Sequence, residues 1–368
     1  MREIIKFIYF FILYRIFFIF PIKNNRIIFS SYYGKNYSCS PKVICDYILK
    51  NGLNYELIYT LNKITNNNSK IKFVKRGGLK YLYYFATSKY RISNCQESHY
   101  LTPRKGMVYL QTWHGVPLKK ISQDIEEKNL KKIKKEWKIE ANYWNYLIVS
   151  NKNLNELFKK AFGIEDCKII NCNYPRNEIL KESEKILAIK EKLKKLGLKE
   201  NKKIILYAPT FRDGEKIFNL NLSKEFIEKV NKEYNFLFRA HSNVKPGILE
   251  KEVIDVSKYD DINELYLVTD ILITDYSSVF FDFSLLEKPM IFYPYDIERY
   301  KNILRGFYYT YDKTVPGPIV YNEQDLFKEL VKLEKNFDKE KLKEFNITFN
   351  GNFEENSVEI VLKEIGIN

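Results

Sequence analysis

A chain of 368 residues with three histidines places two of them inside short phrases whose residue types can do chemistry. The first is Gln111-Thr112-Trp113-His114-Gly115-Val116-Pro117-Leu118-Lys119-Lys120. Its glycine permits close approach of a substrate, and an exposed imidazole beside it can take a proton from an attacking hydroxyl near pH 7. The ordinary reading of His114 is a core histidine beside a buried tryptophan. The second phrase is Phe238-Arg239-Ala240-His241-Ser242-Asn243. A guanidinium fork and an imidazole that donates from both nitrogens when charged suit a phosphate, although a surface loop with incidental charges reads the same way. The third phrase, Ile273-Thr274-Asp275-Tyr276-Ser277-Ser278, sets paired hydroxyls ahead of an apolar helical stretch. They either cap that helix or, with its amides, hold an anion. Tyr207-Ala208-Pro209-Thr210-Phe211-Arg212-Asp213-Gly214 offers Thr210 and Arg212 to the same pocket.

Positioning these groups falls to an alternation of strands and helices. Apolar runs recur at 26–30, 55–59, 71–74, 107–110, 146–149 and 168–170, and again at 204–207, 236–238, 253–256, 271–273 and 290–293. Helical patterns lie between them, which predicts mostly parallel sheets with helices on both faces. Each chemical phrase follows a strand, where open α/β sheets place their ligands. The charged stretch 178–203 separates the two series and reads as a solvated helix with a connector. The expected division is an N-terminal helix over 1–22, a first Rossmann-like domain over 23–175, a second over 176–345, and a C-terminal helix within 346–368 that crosses back.

The net charge of +15 calls for a polyanionic partner: nucleic acid, an anionic membrane or a phosphate-rich substrate. The lysines are spread along the chain with no recognition motif, so nucleic acid is not expected as a partner. Five cysteines, Cys39, Cys45, Cys95, Cys167 and Cys172, form no CxxC pair and support neither a zinc site nor a disulfide framework. Residues 4–22 are apolar except for Lys6 and Arg15. A mid-span arginine costs about 2.5–3.5 kcal/mol on insertion scales, which favours a helix lying in the interface over one that spans. Packing on the first domain is the alternative. Within 128–144, Leu130, Ile133, Trp137, Ala141 and Trp144 recur at helical steps among lysines, a pattern shared by membrane-surface helices and ordinary amphipathic ones.

Taken together, the ordered phrases resemble the CDP-glycerol glycerophosphotransferase family, the teichoic-acid primases and polymerases. The resemblance is carried by Trp113-His114-Gly115 with Pro117-Leu118-Lys119, by Tyr207–Arg212, Arg239-Ala240-His241 and Thr274–Ser278, and by Asp282-Phe283 with Lys288-Pro289. Phe292–Asp296, Gly306–Tyr309 and Pro316-Gly317-Pro318 extend it, so that it covers roughly residues 90 to 365. It implies a glycosyltransferase-B architecture, two Rossmann-like domains facing a central cleft. It also implies a peripheral enzyme on the cytoplasmic face of the membrane, moving a polyol phosphate from CDP-glycerol or CDP-ribitol to a lipid-linked acceptor and releasing CMP. On that reading His114 is the base, and His241, Ser277, Ser278, Arg239 and Thr210 hold the donor diphosphate. No metal cluster is implied, and Mg2+ enters only as a companion of the diphosphate. Two competing expectations remain: a nucleotide-sugar transferase of the same architecture, and a non-catalytic protein that binds an anionic polymer or nucleic acid.

Overall fold

The computed structural model describes residues 7–64, 67–126, 130–210, 217–218, 220–240, 245–247, 249–297, 306–333 and 336–368. The chain divides into two compact units. Unit 1 comprises Met1–Gly115, Ile121–Glu178 and Gly351–Asn368, and unit 2 comprises Val116–Lys120 and Ile179–Asn350.

Unit 1 is built on a seven-stranded parallel sheet: β1 (Lys23–Ser30), β2 (Glu56–Leu61), β3 (Ile71–Lys75), β4 (Ser88–Ser93), β5 (Val108–Gln111), β6 (Tyr146–Val149) and β7 (Lys168–Asn171). The strand order is β3-β2-β1-β4-β5-β6-β7, with a topological switch between β1 and β4. Most of these strands are apolar runs because helices cover both faces. β4 was not expected from the sequence, since Ser-Lys-Tyr-Arg-Ile-Ser carries too few apolar residues to register. Its Arg91 is buried, with Nη1 donating to Leu101 O at 2.7 Å and Nη2 to Phe85 O at 2.8 Å.

The helices of unit 1 that matter below are α1 (Cys39–Lys50), α2 (Leu79–Thr87), α3 (Lys131–Ala141) and α4 (Asn155–Phe162). The apolar N-terminal run packs on this unit. Tyr14 is fully buried among Ile28, Tyr81, Leu82 and Phe85, and its hydroxyl donates to Thr102 O at 2.8 Å. The opposite side of the same run leaves Ile8, Ile12, Ile16 and Ile19 exposed, Ile19 at 78%. Docking and exposure thus coexist, one on each face. Among the described residues no helix is long and apolar enough to cross a membrane. All five cysteines are free thiols.

Unit 2 repeats the plan with β8 (Lys203–Tyr207), β10 (Tyr234–Phe238), β12 (Ile254–Asp255), β13 (Ile271–Thr274) and β14 (Met290–Phe292), ordered β12-β10-β8-β13-β14 and all parallel. A separate two-stranded ribbon pairs β9 (Ile217–Phe218) with β11 (Lys245–Pro246). The switch point here lies between β8 and β13. The charged stretch after residue 178 holds a helix, as expected, but one that is only partly solvated. It contains helix α5 (Ile186–Lys194), which buries Ile189 and Leu193 and pairs Lys192 with Glu264 at 2.9 Å. Further helices are α6 (Lys224–Val230), α7 (Ile262–Val268), α8 (Val279–Phe283), α9 (Glu323–Leu333) and α10 (Glu340–Phe349).

The chain returns to unit 1 at Gly351, where helix α11 (Ser357–Ile365) is fastened at several points. Ser357 N donates to Glu178 Oε1 at 3.0 Å, Tyr47 Oη to Glu359 Oε1 at 2.9 Å, and Tyr90 Oη to Gly366 O at 3.0 Å. An equally pointed crossing occurs just after His114. Residues 116–120 join unit 2, where Tyr308 N donates to Leu118 O at 2.9 Å and Lys120 N to Gly306 O at 3.1 Å.

Candidate active site

His114 stands beyond the carboxyl end of β5, next to the end of β4, near the switch point of the unit 1 sheet. Its Nδ1 lies 2.6 Å from the carbonyl oxygen of Asn94. A carbonyl can only accept, so Nδ1 carries the hydrogen and Nε2 keeps its lone pair, the tautomer a general base needs. The ring stacks on Trp113 with centroids 4.1 Å apart and stands 5.8 Å from the Tyr32 ring. Burial drives the imidazole pKa down from 6.5 to about 4; the Asn94 hydrogen bond opposes this and the Arg176 guanidinium adds to it. The imidazole is therefore neutral at physiological pH.

The backbone around the imidazole is held in unusual conformations. Trp113 has φ 52° and Gly115 φ 131°, and across the switch point Tyr32, Tyr33 and Cys39 also take positive φ. Such positions persist where the surroundings over-determine them, and they gather at functional sites. The φ of Gly115 is one that side-chain-bearing residues rarely adopt, and a Cβ there would also fall 2.7 Å from Arg176 Nη2, displacing the guanidinium. Arg176 is buried, and its guanidinium lies against the residue that follows His114.

The segment that carries Asn94 is fixed from several sides. Thr112 N donates to Ser93 O at 2.8 Å, Gln111 Nε2 to Cys95 O at 3.2 Å, and Ser93 Oγ to Cys95 O at 2.7 Å. Trp113 N donates to Gln111 Oε1 at 3.0 Å. Tyr32 N donates to Asn94 Oδ1 at 2.8 Å, which ties the ends of β1 and β4 together.

In unit 2 the fully buried Asp275 organises the switch point. Its Oδ1 accepts from Thr210 N at 2.8 Å and from Tyr276 N at 2.6 Å, bringing the loop after β8 to the turn after β13. Tyr311 Oη donates to Asp275 O at 3.0 Å, and Thr274 Oγ1 to Ala208 O at 2.8 Å. Ser277 and Ser278 follow on this turn and are partly exposed. Ser278 occupies the cap position of α8, but its side chain makes no capping bond. Arg239, at the end of β10, directs Nη1 to Val256 O at 2.9 Å and Tyr259 O at 2.7 Å, an arrangement that holds the neighbouring turn. His241 and Arg212 lie outside the described residues. Thr210, Ser277 and Ser278 are thus gathered at one switch point of unit 2, whereas His114 belongs to unit 1.

Sequence reasoning missed Asn94, Arg176 and Glu140. Asn94 follows the unrecognised β4, and Arg176 follows Pro175 at what reads as a domain boundary. Glu140 sits in the lysine-rich helix α3, where an acid looks like one more solvated charge. The expected apolar stripe is only partly the buried one: Trp144 and Ala141 are buried, but Ile133 is exposed and the helix turns Glu140 inward. Among the described residues no group of three or more His, Cys, Asp or Glu is placed to hold a metal ion.

Known proteins place the whole chain in a family. The profile of the CDP-Glycerol:Poly(glycerophosphate) glycerophosphotransferase family matches residues 12–366. A teichoic acid poly(glycerol phosphate) polymerase of Bacillus spizizenii is 39% identical over 345 residues, covering 87% of this chain and 86% of that protein. The corresponding polymerase of Bacillus subtilis is 38% identical over 324 residues, covering 83% of this chain and 43% of that protein. A solved structure of the wall teichoic acid polymerase TagF superposes with a TM-score of 0.86 at 32% identity, covering 96% of this chain and 93% of that chain. The resemblance read from the ordered phrases is borne out, and the chain belongs to the CDP-glycerol:poly(glycerophosphate) glycerophosphotransferase family.

Proposed function

We propose that this protein transfers glycerol phosphate from CDP-glycerol to a hydroxyl on a lipid-linked acceptor at the cytoplasmic face of the membrane, within a glycosyltransferase-B plan. The observation that carries the reading is the Nδ1–H of His114 donating to Asn94 O, which leaves Nε2 as the proton acceptor. In the proposed step Nε2 takes the hydroxyl proton while the acceptor oxygen bonds to the β-phosphorus of the donor. The bond from that phosphorus to the bridging oxygen breaks, and CMP leaves with the electron pair. Thr210, Ser277, Ser278 and His241 hold the diphosphate, and Asp275 keeps the first three together. Phosphoryl transfer depends mainly on positioning and charge stabilisation, so protein donors can supply most of it, with Mg2+ entering on the diphosphate itself.

Attachment to the membrane is assigned to the exposed stripe Ile8, Ile12, Ile16 and Ile19. It is assisted by a basic groove of about 750 Å³ beside α3, lined by Lys131, Lys134, Lys135 and Lys138, which suits anionic headgroups. The test is a donor panel of CDP-glycerol, CDP-ribitol and nucleotide sugars, with membranes supplied as acceptor. CMP release from CDP-glycerol is expected, with loss in His114→Ala while donor affinity persists. Release of UDP or GDP from a nucleotide sugar instead favours the glycosyltransferase reading. Steep salt-dependent affinity for random DNA without donor affinity favours the binding-protein reading.

A further inference from the structure

We propose that Tyr32 is a positioning residue for the base: a left-handed turn at the end of β1 sets its ring against the imidazole of His114 and, with Trp113, fixes the direction of Nε2. The inference rests on the reading of His114 as the base. Tyr32, Tyr33 and Gly34 run in succession at φ 45°, 58° and 75°. Glycine adopts such angles freely, whereas a tyrosine is strained there. The turn is held by its neighbours. Asn62 N, just past β2, donates to Gly34 O at 2.7 Å, Asn62 Nδ2 to Tyr33 O at 3.0 Å, and Gly34 N to Ser31 O at 2.8 Å. Tyr32 N donates to Asn94 Oδ1, just past β4, at 2.8 Å. Strain held in place from several sides beside a candidate base points to the side chain it aims.

That side chain meets His114. The two ring centroids are 5.8 Å apart with planes tilted by 59°, while the Trp113 ring lies 4.1 Å away at 29°. Trp113 also stands on left-handed backbone, at φ 52°. All three rings are partly exposed, so these contacts, and not an encasing core, set the direction of the imidazole. The bond from Nδ1–H to Asn94 O leaves the ring able to pivot about the N···O line. One aromatic ring stacked on the imidazole and a second tilted against it restrict that pivot. Asn94 joins the parts: fully buried, it takes Nδ1–H on its main-chain oxygen and the Tyr32 amide on its side-chain oxygen. A shift of the turn therefore reaches the base by two routes, through the ring contact and through Asn94.

The Tyr32 ring is also part of the cover over the imidazole. Burial is the main cause that lowers the imidazole pKa to about 4, and a side left open to water raises it back towards 6.5. The charged and titratable groups on this side of the site are the Arg176 guanidinium, which acts on both rings, and the Cys39 and Cys95 thiols near the Tyr32 phenol. Without the ring, His114 holds its proton to a higher pH, and Nε2 is lost as an acceptor earlier on the acid side. Its direction is then loosened at every pH.

The test compares the full-length wild type with Tyr32→Phe, Tyr32→Ala and Tyr32→Gly. Alanine removes the ring and keeps the strained backbone. Glycine removes the ring and relieves the strain, so Tyr32→Gly is expected to unfold at a higher temperature than Tyr32→Ala. CMP release from CDP-glycerol, with membranes as acceptor, is expected to show a kcat lower on the order of tenfold or more in both, with donor affinity by calorimetry retained. Tyr32→Phe keeps the ring and should recover most of the loss. Beside turnover, the His114 imidazole is followed by NMR, its signal among the three histidines assigned by its loss in His114→Gln. Its pKa is expected to rise by about one unit or more in Tyr32→Ala and Tyr32→Gly. A kcat or an imidazole titration unchanged in both, or activity that returns in Tyr32→Gly together with stability, overturns the proposal. So does a Tyr32→Phe enzyme as slow as Tyr32→Ala, which would give the role to the hydroxyl. An imidazole that responds as expected in a protein that releases no CMP upholds the positioning and sinks the transferase reading instead.

Discussion

Lowering the pH tests the role proposed for His114, because it separates an imidazole tuned by this structure from an ordinary histidine. With a pKa near 4, His114 is about 97% neutral at pH 5.5; at the unperturbed 6.5 it would be only about 9% neutral. The two cases therefore differ about tenfold in active enzyme at that pH. The assay is the kcat/KM for CMP release from CDP-glycerol between about pH 4 and pH 8, which reports groups in the free enzyme. The acid limb should fall near pH 4. The same tuning appears in stability. Because the folded pKa is depressed, the unfolded chain binds the extra proton between about 4 and 6.5, so stability rises with pH across that window. At full burial this corresponds to about 3 kcal/mol, trimmed to about 2 kcal/mol by the solvent contact this partly exposed ring retains. Denaturant titrations should show the slope in wild type and lose it in His114→Gln. An acid limb centred near 6.5, with the protein still folded there, would refute the argument that burial and Arg176 keep the base neutral.

Three further perturbations have expected outcomes. In Gly317→Ala the new Cβ would overlap Met290 O, a backbone atom that cannot move aside. A loss of about 1–3 kcal/mol in thermal or denaturant unfolding is expected, and an unchanged midpoint contradicts the packing of that segment on β14. The double change Ser277→Ala with Ser278→Ala should weaken CDP-glycerol binding on the order of tenfold or more, measured by calorimetry, with little change in Tm. Replacing Ile12 and Ile16 by glutamate should cut binding to anionic vesicles on the order of tenfold or more in a flotation assay, because both side chains are exposed and leave the core untouched. Retained flotation would move the membrane contact elsewhere.

The sequence announced the strands of both sheets wherever β-branched and aromatic residues formed unbroken runs, as in Ile-Ile-Leu-Tyr of β8 and Tyr-Leu-Ile-Val of β6. It concealed β4, whose central arginine is hydrogen-bonded to carbonyls that only the folded chain brings near. His114 was legible because a rare residue followed an apolar run and preceded glycine. Its partner Asn94 was not, since a main-chain carbonyl carries no signature in residue type. Glu140 was hidden for the opposite reason: its sequence neighbours are lysines, and its burial depends on Tyr109, Trp144 and the Glu97 amide meeting it from three separate elements. Local charge pattern describes the solvent side of a helix well and says little about the single residue turned inward.

The excursion of residues 116–120 into unit 2 bears on how the protein comes into being. During synthesis the loop carrying His114 emerges long before residues 306–308, to which the adjoining segment is hydrogen-bonded. Unit 1 also waits for Gly351–Asn368, whose helix is tied to Tyr47, Tyr90 and Glu178. Pairings this distant in sequence close slowly and late. A ribosome-bound or prematurely terminated chain would therefore present the His114 loop without its later partners. Neither unit is built from one contiguous stretch of the chain, so each is completed only by residues made well after its first segment.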